Sequence, residues 1–181
     1  MILEHACEFK EYLESVFDEM GFSGSFEVFD KVIHLNIISQ NETPTKEQIL
    51  EKLKEIALKK KKQELEKEIN AICKEKIIKD FKSSVLGSVH AYDLTLEDQA
   101  NLQALVIAGI DSVFRCTEAT NGVLGYKTYK KHTKAQIIQL SKEALKFKTD
   151  LIVFYGREKE RLNAVSSLEE LEKFVIKEYL T

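Results

Sequence analysis

The sequence is poor in the residues that announce chemistry. Its three cysteines, Cys7, Cys73 and Cys116, are far apart, and no CxxC pair occurs. An odd, scattered set argues against a disulfide framework or a zinc knuckle and reads as small buried or half-buried thiols. There is no tryptophan, and Pro44 is the only proline. No run of about eighteen apolar residues exists, so no membrane span is expected. The first nine residues include Glu4, His5 and Glu8 and lack the basic start and apolar core of a signal peptide. The chain is therefore expected to be intracellular when made.

Catalytic signatures are equally scarce. No glycine-rich phosphate loop occurs, and Gly122 and Gly125 fit a hairpin better than a phosphate cradle. Ser83-Ser84 and Ser166-Ser167 sit in no GxSxG elbow. His5, His34, His90 and His132 have no carboxylate or thiol at metal-ligand spacing. The densest polar-aromatic cluster, His90-Ala91-Tyr92-Asp93, reads as a turn or a packing element. Arg115 precedes Cys116, and a neighbouring cation can lower a thiol pKa, but one adjacent arginine is a weak signal. No catalytic residue, cofactor or metal site is expected, and the chain is read as a non-enzyme.

What the chain does contain is charge and helix-forming residues. Its 181 residues are 44% hydrophobic and 31% charged, as in a soluble globular protein of one or two domains. The net charge of -3 hides a division: residues 1–44 carry -7, residues 46–82 carry +4, and residues 83–181 balance.

Residues 3–20 place Phe9, Leu13, Val16, Phe17 and Met20 at helical spacing, with Gly21 as a left-handed stop. Two strands follow, residues 26–29 and 32–38, with Asp30-Lys31 as their turn and Ile33, Leu35 and Ile37 alternating with His34 and Asn36. Asn41-Glu42-Thr43-Pro44 is a break, and Thr45 with Gln48 has capping-box spacing. From there to about residue 81 no glycine or proline occurs, enough for a helix of roughly 50 Å. Its apolar stripe is thin: Ile49, Leu53 and Ile56, then Leu65, Ile69 and Ile72 with Leu58 in a shifted phase beside Lys59-Lys60-Lys61-Lys62. This is the pattern of a coiled-coil stutter, or of two helices with a break. A long helix with so narrow a stripe calls for a partner or a second copy, so Ile49, Leu53, Ile56, Leu65, Ile69 and Ile72 form the expected self-association seam.

Beyond residue 82 the texture changes again. Thr95 and Asp98 begin a helix carrying Leu96, Leu102, Leu105 and Val106, with Gly109 as its stop. Residues 113–116 read as a strand, Asn121-Gly122 as a hairpin turn, and residues 123–129 as the return. Thr133 and Gln136 cap a helix to about residue 163, with Ile137, Leu140, Ala144, Phe147, Leu151 and Phe154 on one face. Ser166 and Glu169 have the spacing to open a last helix carrying Leu168, Leu171, Val175 and Tyr179. The fold class is α+β and predominantly helical. It is read as a small head with a β-hairpin (1–44), a long lysine-rich helix with coiled-coil character (45–82), and a C-terminal helical unit with a short β-hairpin (83–181).

The lysine run could contact nucleic-acid phosphates. However, Glu64, Glu66 and Glu68 interleave directly after it, and the stretch has no arginine or aromatic residue for base contacts or stacking. Nucleic-acid binding, as by a regulator using this helix, is therefore the weaker expectation.

The order of elements from His90 onward carries a likeness. His90-Ala91-Tyr92-Asp93, Gln99-Ala100-Asn101-Leu102, Phe114-Arg115-Cys116-Thr117, His132-Thr133-Lys134-Ala135-Gln136 and the helix ending near Glu160-Arg161-Leu162 together resemble a domain of unknown function. That domain occurs near the C-terminal end of many phage tail, tail-fibre and tail-fibre-assembly proteins. Relatives often carry a tryptophan at the β excursion, where this chain has Phe114, Arg115 and Cys116. The resemblance implies a bacteriophage or prophage tail accessory protein that binds a tail fibre and assists its assembly in the host cytoplasm. A structural tail component that stays in the virion is the alternative. It also implies a homo-oligomer, a trimer by analogy with tail fibres, and transfers no catalytic residue. Arg115, Tyr126 and Tyr129, around the hairpin, are the expected partner contacts, because arginine and tyrosine are favoured interface anchors.

Overall fold

A computed structural model describes the chain except residues 5, 39–42, 80, 121, 122 and 181; of residues 119, 120, 123 and 124 it describes the backbone only. The fold is α+β and predominantly helical. Two compact units emerge: Met1–Glu66 with Leu162–Val175, and Lys67–Arg161 with Ile176–Thr181. The boundaries expected at 44 and 82 are thus displaced into the long helix, because its first half is part of the head's core.

In the first unit, β1 (Ile2–Leu3) and β2 (Ser23–Phe29) both pair antiparallel with β3 (Val32–Ile38). Asp30 and Lys31 both take positive φ, 47° and 61°. Phe29 lies opposite Val32, so the connection is a two-residue turn with the backbone twist that a tight hairpin favours. Ile33 and Leu35 point into the core while His34 and Asn36 face out, as the alternation predicts.

The helix expected over residues 3–20 is shorter. Leu3 is taken into the sheet opposite Ile33. A 3-10 turn covers Cys7–Tyr12, and α1 spans only Leu13–Met20. Gly21 ends α1 at φ 71°.

The helix α2 (Lys46–Lys79) is unbroken. Thr45 and Gln48 cap it reciprocally, through the Gln48 amide to Thr45 Oγ1 at 3.2 Å and the Thr45 amide to Gln48 Oε1 at 2.8 Å. Its residues to Glu66 belong to the first unit. There Ile49, Leu53, Ile56 and Ala57 are buried with Leu3, Phe9, Tyr12, Leu13, Val16 and Phe17. Lys52 pairs with Glu19 at 2.8 Å, and the Lys61 ammonium lies 5.3 Å from the Phe9 ring centroid. The short α5 (Leu168–Glu172) adds Leu168 and the buried Leu171 to this unit. Ser167, not Ser166, is its N-cap, bonded by the Glu170 amide at 3.2 Å. The expected continuation through Val175 and Tyr179 does not form.

The second unit holds β4 (Lys82–Ser83), β5 (His90–Tyr92), β6 (Ser112–Thr120), β7 (Val123–Leu124) and β8 (Thr128–His132). The sheet is antiparallel. Cys116 lies opposite both Tyr92 and Thr128, so β5 and β8 flank β6 on its two sides. The return strand expected over 123–129 is interrupted: β7 pairs with the end of β6, and β8 with its start. Asn121-Gly122 lies outside the described residues.

Two further helices cover the sheet's inner face. α3 (Leu96–Ala108) has a complete Thr95–Asp98 capping box and ends at Gly109 with φ 65°. α4 (Lys134–Ala164) begins at the Thr133–Gln136 box. Leu102, Ile137, Leu140 and Ala144 bury against Phe81, Tyr92, Leu94, Phe114 and Cys116. Leu96, at the start of the same helix, is 79% exposed. Six residues at 100° each turn it well away from Leu102.

Candidate functional site

Alternation along β6 divides the second unit's sheet into two unlike faces. Phe114 and Cys116 point inward with Tyr92 and His132, and Val113 and Arg115 point outward. The inner face is apolar around a small polar cluster. The Tyr92 hydroxyl lies 3.0 Å from His132 Nε2. On the ring's other side, Nδ1 lies 2.9 Å from the Lys130 carbonyl oxygen. A carbonyl only accepts, so Nδ1 carries the proton and Nε2 accepts from the tyrosine. His90 Nδ1 in the same way donates to the Ser88 carbonyl at 2.9 Å. The Ser83 hydroxyl donates to Glu143 Oε2 at 2.6 Å.

Burial sets the protonation of this cluster. It lowers the His132 pKa, more than the Lys130 carbonyl raises it. It pushes the Tyr92 phenol and the Cys116 thiol up. All three groups are therefore neutral near pH 7. Arg115, adjacent in sequence, leaves Cys116 no more acidic, because alternation sends the guanidinium to the opposite face. The cluster acts as an internal brace: it ties β5 to β8 through side chains 40 positions apart, a pairing that no local spacing reveals.

A cleft of about 440 Å³ beside this brace is lined by Asp111, Ser112, Val113, Lys131, Thr133 and Gln136, with His132 at its base. Three of its polar groups already serve the fold. Thr133 and Gln136 cap α4, Asp111 accepts from the Lys134 amide at 2.7 Å, and Gln136 Nε2 donates to the Val85 carbonyl at 2.9 Å. Among the described residues no three histidine, cysteine or acidic side chains gather as a metal site. No helix among them is long and apolar enough to cross a membrane.

The outer face brings two of the expected contact residues together. Arg115 lies directly opposite Tyr129, and Val113 opposite Lys131. Arg115 and Lys131 are exposed, Val113 is 47% exposed and Tyr129 71%. Tyr126, before β8, is 98% exposed. Neither tyrosine packs in the core. Lys127 beside them is committed to an ion pair with Asp93.

The expected self-association seam is not an uncovered stripe. Ile49, Leu53 and Ile56 are filled by the head's own core, and Ile69 is fully buried in the second unit. Leu65 and Ile72 are half-buried. In the first half of the helix a narrow stripe suffices because the head's small sheet and short helices cover it.

The chain matches no model of a known protein family, no curated protein and no solved structure.

Proposed function

We propose that this chain is a non-enzymatic binding protein, an accessory of a phage tail that engages a tail fibre and assists its assembly. One observation carries the binding part: the outward face of β6 and β8, where exposed Tyr129 and Arg115 stand side by side with Val113, Lys131 and the nearly bare Tyr126. Large amphipathic side chains exposed together on a rigid sheet suit protein recognition. They offer contact area at low entropic cost, and arginine and tyrosine dominate binding energy where interfaces have been scanned. The choice of a tail fibre rests on the likeness of residues 90–162 alone.

Co-expression with a tail-fibre protein from the same phage tests both parts. Stoichiometric co-purification, with more soluble fibre than in its absence, is the expected result. Tyr129→Ala and Arg115→Ala should each weaken capture roughly tenfold or more, as interface anchors do. Absence of capture together with unchanged fibre solubility removes the tail-fibre reading. Recovery of the chain in stoichiometric amount from purified particles would make it a structural tail component instead.

A further inference from the structure

The outward face of β6 and β8 is a checkerboard of charge and apolar surface. Val113 lies opposite Lys131 and Arg115 opposite Tyr129, so each cross-strand pair joins one cation to one apolar or aromatic side chain, in reversed order. Beside them the chain is pinned at two points. Gly125 lies close over Thr117, so that a Cβ there would sit 3.5 Å from Thr117 Oγ1, and Lys127 pairs with Asp93. Tyr126 stands between these two anchors, 98% exposed, and needs little further ordering to serve as a contact.

Charge of one sign is in excess here. Residues 115–134 carry Arg115, Lys127, Lys130, Lys131 and Lys134 against Glu118 alone. Alternation sends Glu118 to the face opposite Arg115. Asp93 and Asp111 also approach, Asp93 bound by Lys127 and Asp111 accepting from the Lys134 amide. Five cations against three acids still leave a local charge of +2, in a chain whose net charge is -3.

We infer, from the binding role already given to this face, that its partner meets it with an extended acidic protein segment carrying two carboxylates two residues apart. Arg115 and Lys131 are diagonal neighbours across the ladder, and such neighbours stand about 7–8 Å apart. Alternate residues of an extended chain are roughly 6.7 Å apart and point to the same side. Carboxylates at alternate positions therefore meet both cations at once, and the guanidinium offers one of them a two-pronged hydrogen bond. Val113 and Tyr129, on the other diagonal, flank that line and give apolar surface to the segment's aliphatic carbons. A nucleic-acid strand fits less well, because its binders neutralise roughly six to ten phosphates.

Two-dimensional NMR of the isotope-labelled full chain tests it with three probes of equal length: a peptide of glutamate alternating with threonine, the same peptide with lysine for glutamate, and oligo(dT). The glutamate peptide should shift amides of residues 112–116 and 125–132, and the other two probes should leave them unmoved. Raising salt from about 0.1 to about 1 M, which shortens the screening length from about 10 to about 3 Å, should weaken binding at least about fivefold. Arg115→Glu together with Lys131→Glu, both at exposed positions, should abolish binding of the glutamate peptide and admit the lysine peptide. Four results overturn the proposal: no shifts with the glutamate peptide at about 5 mM, shifts only elsewhere, binding that survives the double reversal, or tighter binding of oligo(dT) at these residues. A fibre captured equally by the native and the doubly reversed chain also overturns it and leaves the fibre reading standing. Peptide binding as expected, with no fibre captured, removes the fibre reading alone.

Discussion

Removing one oxygen from the brace between Tyr92 and His132 should measure what it is worth. Tyr92→Phe keeps the ring, so no cavity forms among Phe81, Phe114 and Cys116. It leaves His132 Nε2 without its donor at a residue that is 1% exposed. A buried acceptor left unpaired costs about 1–3 kcal/mol. With a urea m-value of ~2 kcal/mol/M for a domain of this size, the midpoint for the second unit should fall by about 0.5–1.5 M. Urea unfolding followed by circular dichroism gives the midpoint, and hydrogen exchange at residues 90–92 and 112–116 assigns the loss to this unit. His132→Leu removes the other partner and should cost a similar amount. The double variant should lose at least ~1 kcal/mol less than the two single losses combined, because each single change strands a polar group that the double change removes. An unchanged midpoint in Tyr92→Phe, or strict additivity in the double variant, would refute the reasoning.

Other outcomes follow from the same contacts. Leu53→Ala empties a fully buried position in the first unit's core and should cost about 2–5 kcal/mol in thermal or urea unfolding. Gly24→Ala would set a Cβ 2.7 Å from the Asn36 carbonyl oxygen, a backbone atom that cannot swing away, and should destabilise the β2–β3 hairpin by about 1–3 kcal/mol. Glu158 is buried, which would raise its pKa, but the Lys177 amide at 3.0 Å and the Arg161 guanidinium outweigh burial and hold it low. Its folded pKa lies below its unfolded one, so its stabilisation is full above about pH 4.3 and fades as pH falls through the folded value. The protection of the Lys177 amide relative to its intrinsic exchange rate at each pH should fall over that acid range in the native chain, and should already be reduced at neutral pH in Glu158→Ala.

Much of the fold was legible because its signals are local. The Thr45–Gln48, Thr95–Asp98 and Thr133–Gln136 boxes, the stops at Gly21 and Gly109, and the alternation through Ile33 and Leu35 each depend on a few neighbouring residues. Where the reading missed, a distant partner decided. Leu3 has helical spacing with its neighbours, but Ile33, thirty positions on, draws it into a sheet. Ile49, Leu53 and Ile56 look like an unsupported seam until the head folds over them. The site divides in the same way. Arg115, Tyr126 and Tyr129 stand out by residue type, but the register that sets Arg115 beside Tyr129 comes from the ladder between β6 and β8. The brace was missed because Tyr92 and His132 are 40 residues apart. The exposure of Leu96 follows from helical angle alone, since Leu96, Ala100 and Ile107 share an azimuth that the buried Leu102 does not.

The two faces of the second unit's sheet give a physical reason why binding there can be separated from folding. Alternation puts Phe114, Cys116 and His132 inside, where packing and the brace fix residue type, size and protonation. The intervening Val113, Arg115, Tyr129 and Lys131 meet solvent, and the fold asks of them little beyond strand-compatible backbone. Changes on that face cost the unfolding equilibrium little, usually within about 0.5 kcal/mol, and can alter a partner's affinity by several times that amount. The interior shows the reverse sensitivity. A rigid support with an independently variable face suits recognition of a partner surface, because the contacts can follow the partner without a new scaffold. On the inner face Tyr92, Cys116 and His132 stay in their neutral forms, enclosed by the core.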